Sequence, residues 1–136
     1  MTRRYGTIIN RLREAGLRPT RQRMALAKLL FENGNRHVSA ERLHKEALSR
    51  QVPVSLATVY NSLHQFTEAG LLREVVVEAG RSYFDTNMAN HHHFFHEDTG
   101  ELEDITECSL RLESLPPAPK GSKVARVDVI IRVAAS

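Results

Sequence analysis

Apolar positions along this chain follow two rhythms, and the rhythm changes near residue 70. Before it, the spacing is helical. Ile8, Ile9, Leu12 and Ala15 share one face, and Gly16 ends that helix. Leu17-Arg18-Pro19 is a linker, and Thr20 reads as the cap of a second helix. Leu26, Leu29, Leu30 and Phe31 form its stripe, and Asn33-Gly34-Asn35 stops it. Ser39 caps a third helix that turns Leu43, Ala47 and Leu48 inward, with Val38 set to staple onto Leu43. Val52-Pro53-Val54-Ser55 approaches a fourth cap in extended form, because the residue before proline avoids helix. The Ser55 helix ends at Gly70.

That fourth helix has two unlike faces. Leu56, Val59, Tyr60, Leu63 and Phe66 gather on one side, and Ala57, Thr58, Asn61, Ser62 and Gln65 on the other. The polar side carries no acid. Its small and amide side chains suit hydrogen bonds to base edges or phosphates in a major groove. After it, Leu71–Val77 is apolar and β-branched, residues 78–81 turn, and Ser82–Asp85 returns, which is a β-hairpin. Helices followed by a hairpin give the order of a winged helix-turn-helix, with the Ser55 helix as the reading helix.

The remainder is shorter and of the other rhythm. Phe94-Phe95 and Leu102–Ile105 read as strands around Asp98-Thr99-Gly100, Leu110–Leu115 as a short helix, and Val124–Val133 as a last strand after the break at 116–119. So few elements in about fifty residues need more cover. Pairing of two copies supplies it, so a homodimer is expected. The fold class is therefore α+β.

Charge divides at the same place. Residues 1–84 hold fourteen Lys and Arg against seven Asp and Glu, a net +7, and residues 85–136 hold five against nine, a net −4. The first part is expected to meet a polyanion, namely double-stranded DNA. Arg18, Arg21 and Arg23, at the start of the second helix, are placed to grip phosphates. No apolar run approaches a membrane span, no signal segment opens the chain, and Cys108 is its single cysteine. A cytoplasmic protein is expected, without membrane contact and without a four-cysteine structural zinc.

The candidate chemistry lies in His91, His92, His93 and His96, four of the seven histidines within six positions. On a strand, residues two apart point the same way. His91 and His93 can then chelate one ion while His92 faces away. Asp85, Glu97, Asp98, Glu101, Glu103 and Asp104 supply carboxylates nearby, a donor set that suits Zn, Fe(II) or Mn(II). An ion shared between this run and the distant His37 would clamp the two parts together. His44 and His64 sit singly on helices and read as structural. The competing class is a metal-dependent hydrolase. It leaves the charge division and the polar helix face unexplained, and no nucleophile motif or glycine-rich phosphate loop accompanies it.

The set Arg36-His37-Val38-Ser39-Ala40-Glu41, Leu56-Ala57-Thr58-Val59-Tyr60, Phe84-Asp85 and His91-x-His93 resembles the ferric uptake regulator family over nearly the whole chain. That resemblance implies a winged-helix DNA-binding domain over 1–85, a hinge over 86–90 and a small α/β dimerisation and sensing domain over 91–136. It implies metal-dependent transcriptional control of operator DNA by a homodimer. The implied metal ligands are His37, Asp85, His91, His93 and Asp104, holding Mn or Fe, or Zn in a purified sample. Ser55, Thr58, Tyr60 and Asn61 on the fourth helix, with Arg18 and Arg21, would contact DNA. The family often has arginine after that tyrosine, where this chain has Asn61. Two Cys-x-x-Cys pairs common in relatives are missing, and the first pair's positions are His96 and Thr99. With the triple histidine, this resembles the iron response regulator branch, which implies haem as a further ligand, through His91, His92 and His93. A peroxide-sensing repressor using Fe(II) or Mn(II) is the alternative within the family.

Overall fold

The computed structural model describes residues 2–78, 80–88, 91–105, 110 and 113–136, with side chains from Thr7 onward. The chain divides into two compact units, Met1–Met88 and Ala89–Ser136. No helix among the described residues is long and apolar enough to cross a membrane.

Four helices and a three-stranded sheet build the first unit: α1 (Thr2–Glu14), α2 (Arg21–Phe31), β1 (His37–Val38), α3 (Ala40–Ser49), α4 (Leu56–Glu68), β2 (Arg73–Glu78) and β3 (Arg81–Asp85). Three helices begin where a hydroxyl can accept an otherwise orphan N–H. The Thr20, Ser39 and Ser55 side chains accept from the amides of Arg23, Arg42 and Thr58 at 3.3, 3.2 and 3.1 Å. Helix α4 ends in a left-handed residue, Gly70 at φ 83°, and the Leu71 amide donates back to the Phe66 carbonyl at 2.9 Å. Helix α3 ends the same way without a glycine. Gln51 takes φ 61°, and the Val52 amide donates to the Ala47 carbonyl at 2.9 Å.

The apolar stripes meet in one core. Leu12, Leu26, Leu30, Val38, Leu43, Val59, Leu63, Phe66, Leu72 and Phe84 are all buried in it. Two expected positions differ. Leu48 is 51% exposed, since it lies on the solvent side of the last turn of α3. Ser62 is buried at 6% exposure, so the polar face of α4 is narrower than its sequence suggests. The hairpin β2–β3 forms as expected, but its first strand starts at Arg73 rather than Leu71. Strand β1 has no counterpart in the sequence pattern. Its two residues pair antiparallel with the end of β3, His37 opposite Asp85 and Val38 opposite Phe84, giving the order β1-β3-β2.

The second unit is a sheet of β4 (His92–His96), β5 (Leu102–Ile105) and β6 (Ile130–Val133) in the order β5-β4-β6. Strand β4 is central, antiparallel to β5 and parallel to β6. It buries His93 and Phe95 on one face and leaves His92, Phe94 and His96 half-buried on the other. The last strand is shorter than its alternating pattern suggests: residues 124–129 lie in no regular element, and only Ile130–Val133 finds a partner strand. The expected helix over Leu110–Leu115 falls partly outside the described residues, and residues 113–115 carry no regular structure.

Candidate functional site

Strand alternation sorts the histidine run. His91 lies just before β4 and His93 within it, and their rings stand 4.6 Å apart, tilted at 59°. Both Nε2 atoms approach one carboxylate oxygen: His91 Nε2 and His93 Nε2 each lie 3.3 Å from Asp104 Oδ1. Asp104 arrives there because β5 pairs it directly with His93. All three offer ligand atoms within 4.8 Å of one another, and the His93 side chain is only 1% exposed.

These distances test whether the residues fit an ion. Donors about 2.0–2.1 Å from a tetrahedral ion stand roughly 3.3 Å apart. The two nitrogen–oxygen separations have that value before any adjustment. Two imidazoles and a carboxylate suit the divalent ions from Mn to Zn. The Asp104 Oδ1 is buried, where a carboxylate oxygen requires a cation or donors. Binding requires the Nε2 lone pairs, hence neutral rings.

The other two histidines serve the sheet. The Val129 amide donates to His92 Nδ1 at 3.1 Å, which ties the approach to β6 onto β4. His96 Nε2 lies 2.9 Å from Glu103 Oε1 across the β4–β5 pair. Both contacts depend on strand register, which the histidine run alone does not display.

In the first unit, His37 and Asp85 are opposed across β1 and β3, and opposed residues of an antiparallel pair project on the same face. Asp85 is fully buried, and its Oδ1 accepts from the Asn87 amide at 2.9 Å. His37 meets Tyr83 edge-on at 6.5 Å between centroids. No sequence pattern marks these two as neighbours, since the strand that joins them has two residues. His44 is structural, with Nε2 3.0 Å from the Val54 carbonyl oxygen.

The candidate DNA-reading residues are held by local contacts. Ser55 Oγ donates to Thr58 Oγ1 at 3.0 Å while capping the helix, so both hydroxyls are engaged at the start of α4. Asn61 and Gln65 are exposed. Gln65 Oε1 accepts from Arg23 at 2.8 Å, which joins α2 to α4. Arg18 and Arg21 are exposed at the start of α2. The Tyr60 hydroxyl donates to Glu41 Oε2 at 2.8 Å, and that bond pushes the phenol's pKa above its ordinary value. Ser39, Glu41, Tyr60, Arg81 and Tyr83 line one cleft between the helices and the hairpin.

The model of the ferric uptake regulator family matches residues 14–131. The ferric uptake regulation protein of Escherichia coli K12 is 34% identical over 110 residues, covering 80% of this chain and 74% of that protein. The peroxide-responsive repressor PerR of Staphylococcus aureus is 37% identical over 95 residues, 69% of this chain and 63% of that protein. The structure of the ferric uptake regulator from Pseudomonas aeruginosa with manganese superposes with a TM-score of 0.70 at 27% identity, covering 93% of this chain and 96% of that one.

Proposed function

As this chain belongs to the ferric uptake regulator family, a family of metal-responsive transcription regulators and not of enzymes, we propose that it binds operator DNA as a homodimer and takes its signal from iron. The observation that carries the reading is the convergence of His91 Nε2 and His93 Nε2 on Asp104 Oδ1, each at 3.3 Å. A ferrous or manganous ion is the proposed occupant, with zinc as a substitute in a purified sample. His37 and Asp85 complete the ligand set. They share one face of the first sheet, and the six positions from Asp85 to His91 span at most about 20 Å. Ligands drawn from both units would let the ion cross-link them, which is the chemistry it supplies. The protein's own part is to bring these donors together; an imidazole binds through its neutral form and a carboxylate through its anion, so the ion competes with protons for the site.

The DNA contacts fall to two groups. Arg18 and Arg21 would neutralise phosphates, and Ser55, Thr58, Tyr60 and Asn61 on α4 would enter the major groove. Dimerisation is supported by the second unit. Among the described residues, β5 and β6 each pair on one side only, and Leu115 and Val124 are about half exposed. The iron response regulator branch is supported by the single cysteine and the triple histidine. Haem, where it acts, would be met by the run His91, His92 and His93. Action in the cytoplasm follows from this role.

The test is titration of the metal-free protein with Mn²⁺, Fe²⁺ and haem while following a duplex selected from random sequence. A change in duplex affinity with an ion or haem supports the proposal, and none with any of the three sinks it. A second reading, a peroxide sensor, is favoured by the likeness to PerR. There, peroxide with Fe(II) would add one oxygen atom to a peptide holding His37 or His91, and mass spectrometry would show it.

A further inference from the structure

Two residues flank the His37–Asp85 pair, and they are bound to each other. Arg36 precedes His37, and Thr86 follows Asp85. The Arg36 amide donates to Thr86 Oγ1 at 2.8 Å. The Thr86 hydroxyl donates to the Arg36 carbonyl at 3.1 Å, and the Thr86 amide donates to the same oxygen at 2.9 Å. Thr86 is 6% exposed, so these bonds are made out of water and hold firmly. The clasp lengthens a two-residue strand that alone fixes little.

The Arg36 side chain runs the other way, into the helices. Its two terminal nitrogens meet Glu46 Oε1 and Oε2 on α3 at 2.8 and 2.7 Å, a planar two-bond pairing. One also donates to the Leu29 carbonyl of α2 at 3.2 Å. Glu46 further meets Arg42 at 3.4 Å. One residue thus joins the end of β3, the start of β1, α2 and α3.

We propose that Thr86, Arg36 and Glu46 are positioning residues that couple ion capture at His37 and Asp85 to the placement of α2 and α3. This rests on the reading of His37 and Asp85 as ligands. An ion that draws on His37 and Asp85 loads both sides of the Thr86–Arg36 clasp. Arg36 carries that load through its rigid fork to Glu46 and Leu29. Coupling of this kind is reciprocal: the factor by which the ion changes DNA affinity equals the factor by which DNA changes ion affinity.

The test uses the full chain and Mn²⁺. Thr86→Val removes the hydroxyl and keeps the shape, and Glu46→Gln loosens the fork far from the ligands. Duplex affinity is measured with and without Mn²⁺, and Mn²⁺ affinity with and without duplex. In both variants the coupling factor should fall at least tenfold on each limb, while one Mn²⁺ still binds and metal-free duplex affinity is unchanged. A coupling factor equal to wild type in Glu46→Gln overturns the proposal, even if Thr86→Val fails to fold. Asp85→Asn is run alongside. If it leaves Mn²⁺ affinity unchanged, the ligand reading is what has failed, and the coupling proposal falls with it.

Discussion

His93 and Asp104 stand directly opposite each other in the β4–β5 pairing, and His93 Nε2 lies 3.3 Å from Asp104 Oδ1. Register alone places them so. A slip of one residue would turn every side chain of β5 to the other face. His91, just before β4, reaches the same oxygen at the same distance, so three donors share one small volume.

Asp104→Asn keeps the shape of that arrangement and removes its charge. Mn²⁺ affinity should fall by more than the roughly 10- to 100-fold that follows loss of a partner outside the ligand shell. His92→Ala should leave it unchanged, because His92 lies on the other face of β4 and holds the Val129 amide. Calorimetric titration with Mn²⁺ checks both.

The DNA contacts separate by chemistry. Arg21→Ala should weaken binding equally across sequences and lower the salt slope by about one. Asn61→Ala should instead relax preference at one base position, at a cost of about 1–3 kcal/mol against the best site. Anisotropy titrations at several salt concentrations, on matched and altered duplexes, distinguish the two.

The Arg36–Glu46 pair predicts an acid limb. The Arg36 hydrogen bonds hold the Glu46 carboxyl below its ordinary range. A depressed carboxyl contributes stability that is fully present above the ordinary value near ~4.3 and lost as pH falls through the folded value. The melting-temperature gap between the metal-free protein and its Glu46→Gln variant should therefore be constant near neutrality and shrink below about pH 4. A gap independent of pH would contradict the pairing.

Two left-handed residues should respond with opposite sign. Gly70→Ala meets no atom within 4 Å but strains the backbone at φ 83°, and should cost about 1–2 kcal/mol. Gln51→Gly relieves the same strain at the end of α3 and should stabilise by about 0.5–1 kcal/mol, after the entropy glycine adds to the unfolded chain. Urea denaturation measures both.

Local chemistry makes much of this legible. Thr20, Ser39 and Ser55 announce three helix starts because their hydroxyls accept N–H groups two or three residues on. Gly16 and Gly70 announce two ends. The parity of His91 and His93 follows from the strand period. Features set by distant partners are the ones that escape. Strand β1 exists because β3 offers an edge to two residues, and nothing in His37-Val38 shows that edge. The Tyr60–Glu41, His96–Glu103 and Arg36–Glu46 contacts depend on packing between elements. The last strand is shorter than its pattern, since alternation over 124–129 gives a rhythm but no partner to bond.

Control of DNA binding should run through the ion on His91, His93 and Asp104. The sharpest check is duplex affinity against Mn²⁺ concentration, for the wild-type chain and for the His91→Ala, His93→Ala double variant. Wild-type affinity should change with Mn²⁺, while the double variant keeps its metal-free affinity throughout. A double variant that responds to Mn²⁺ as the wild type does would show that control lies elsewhere.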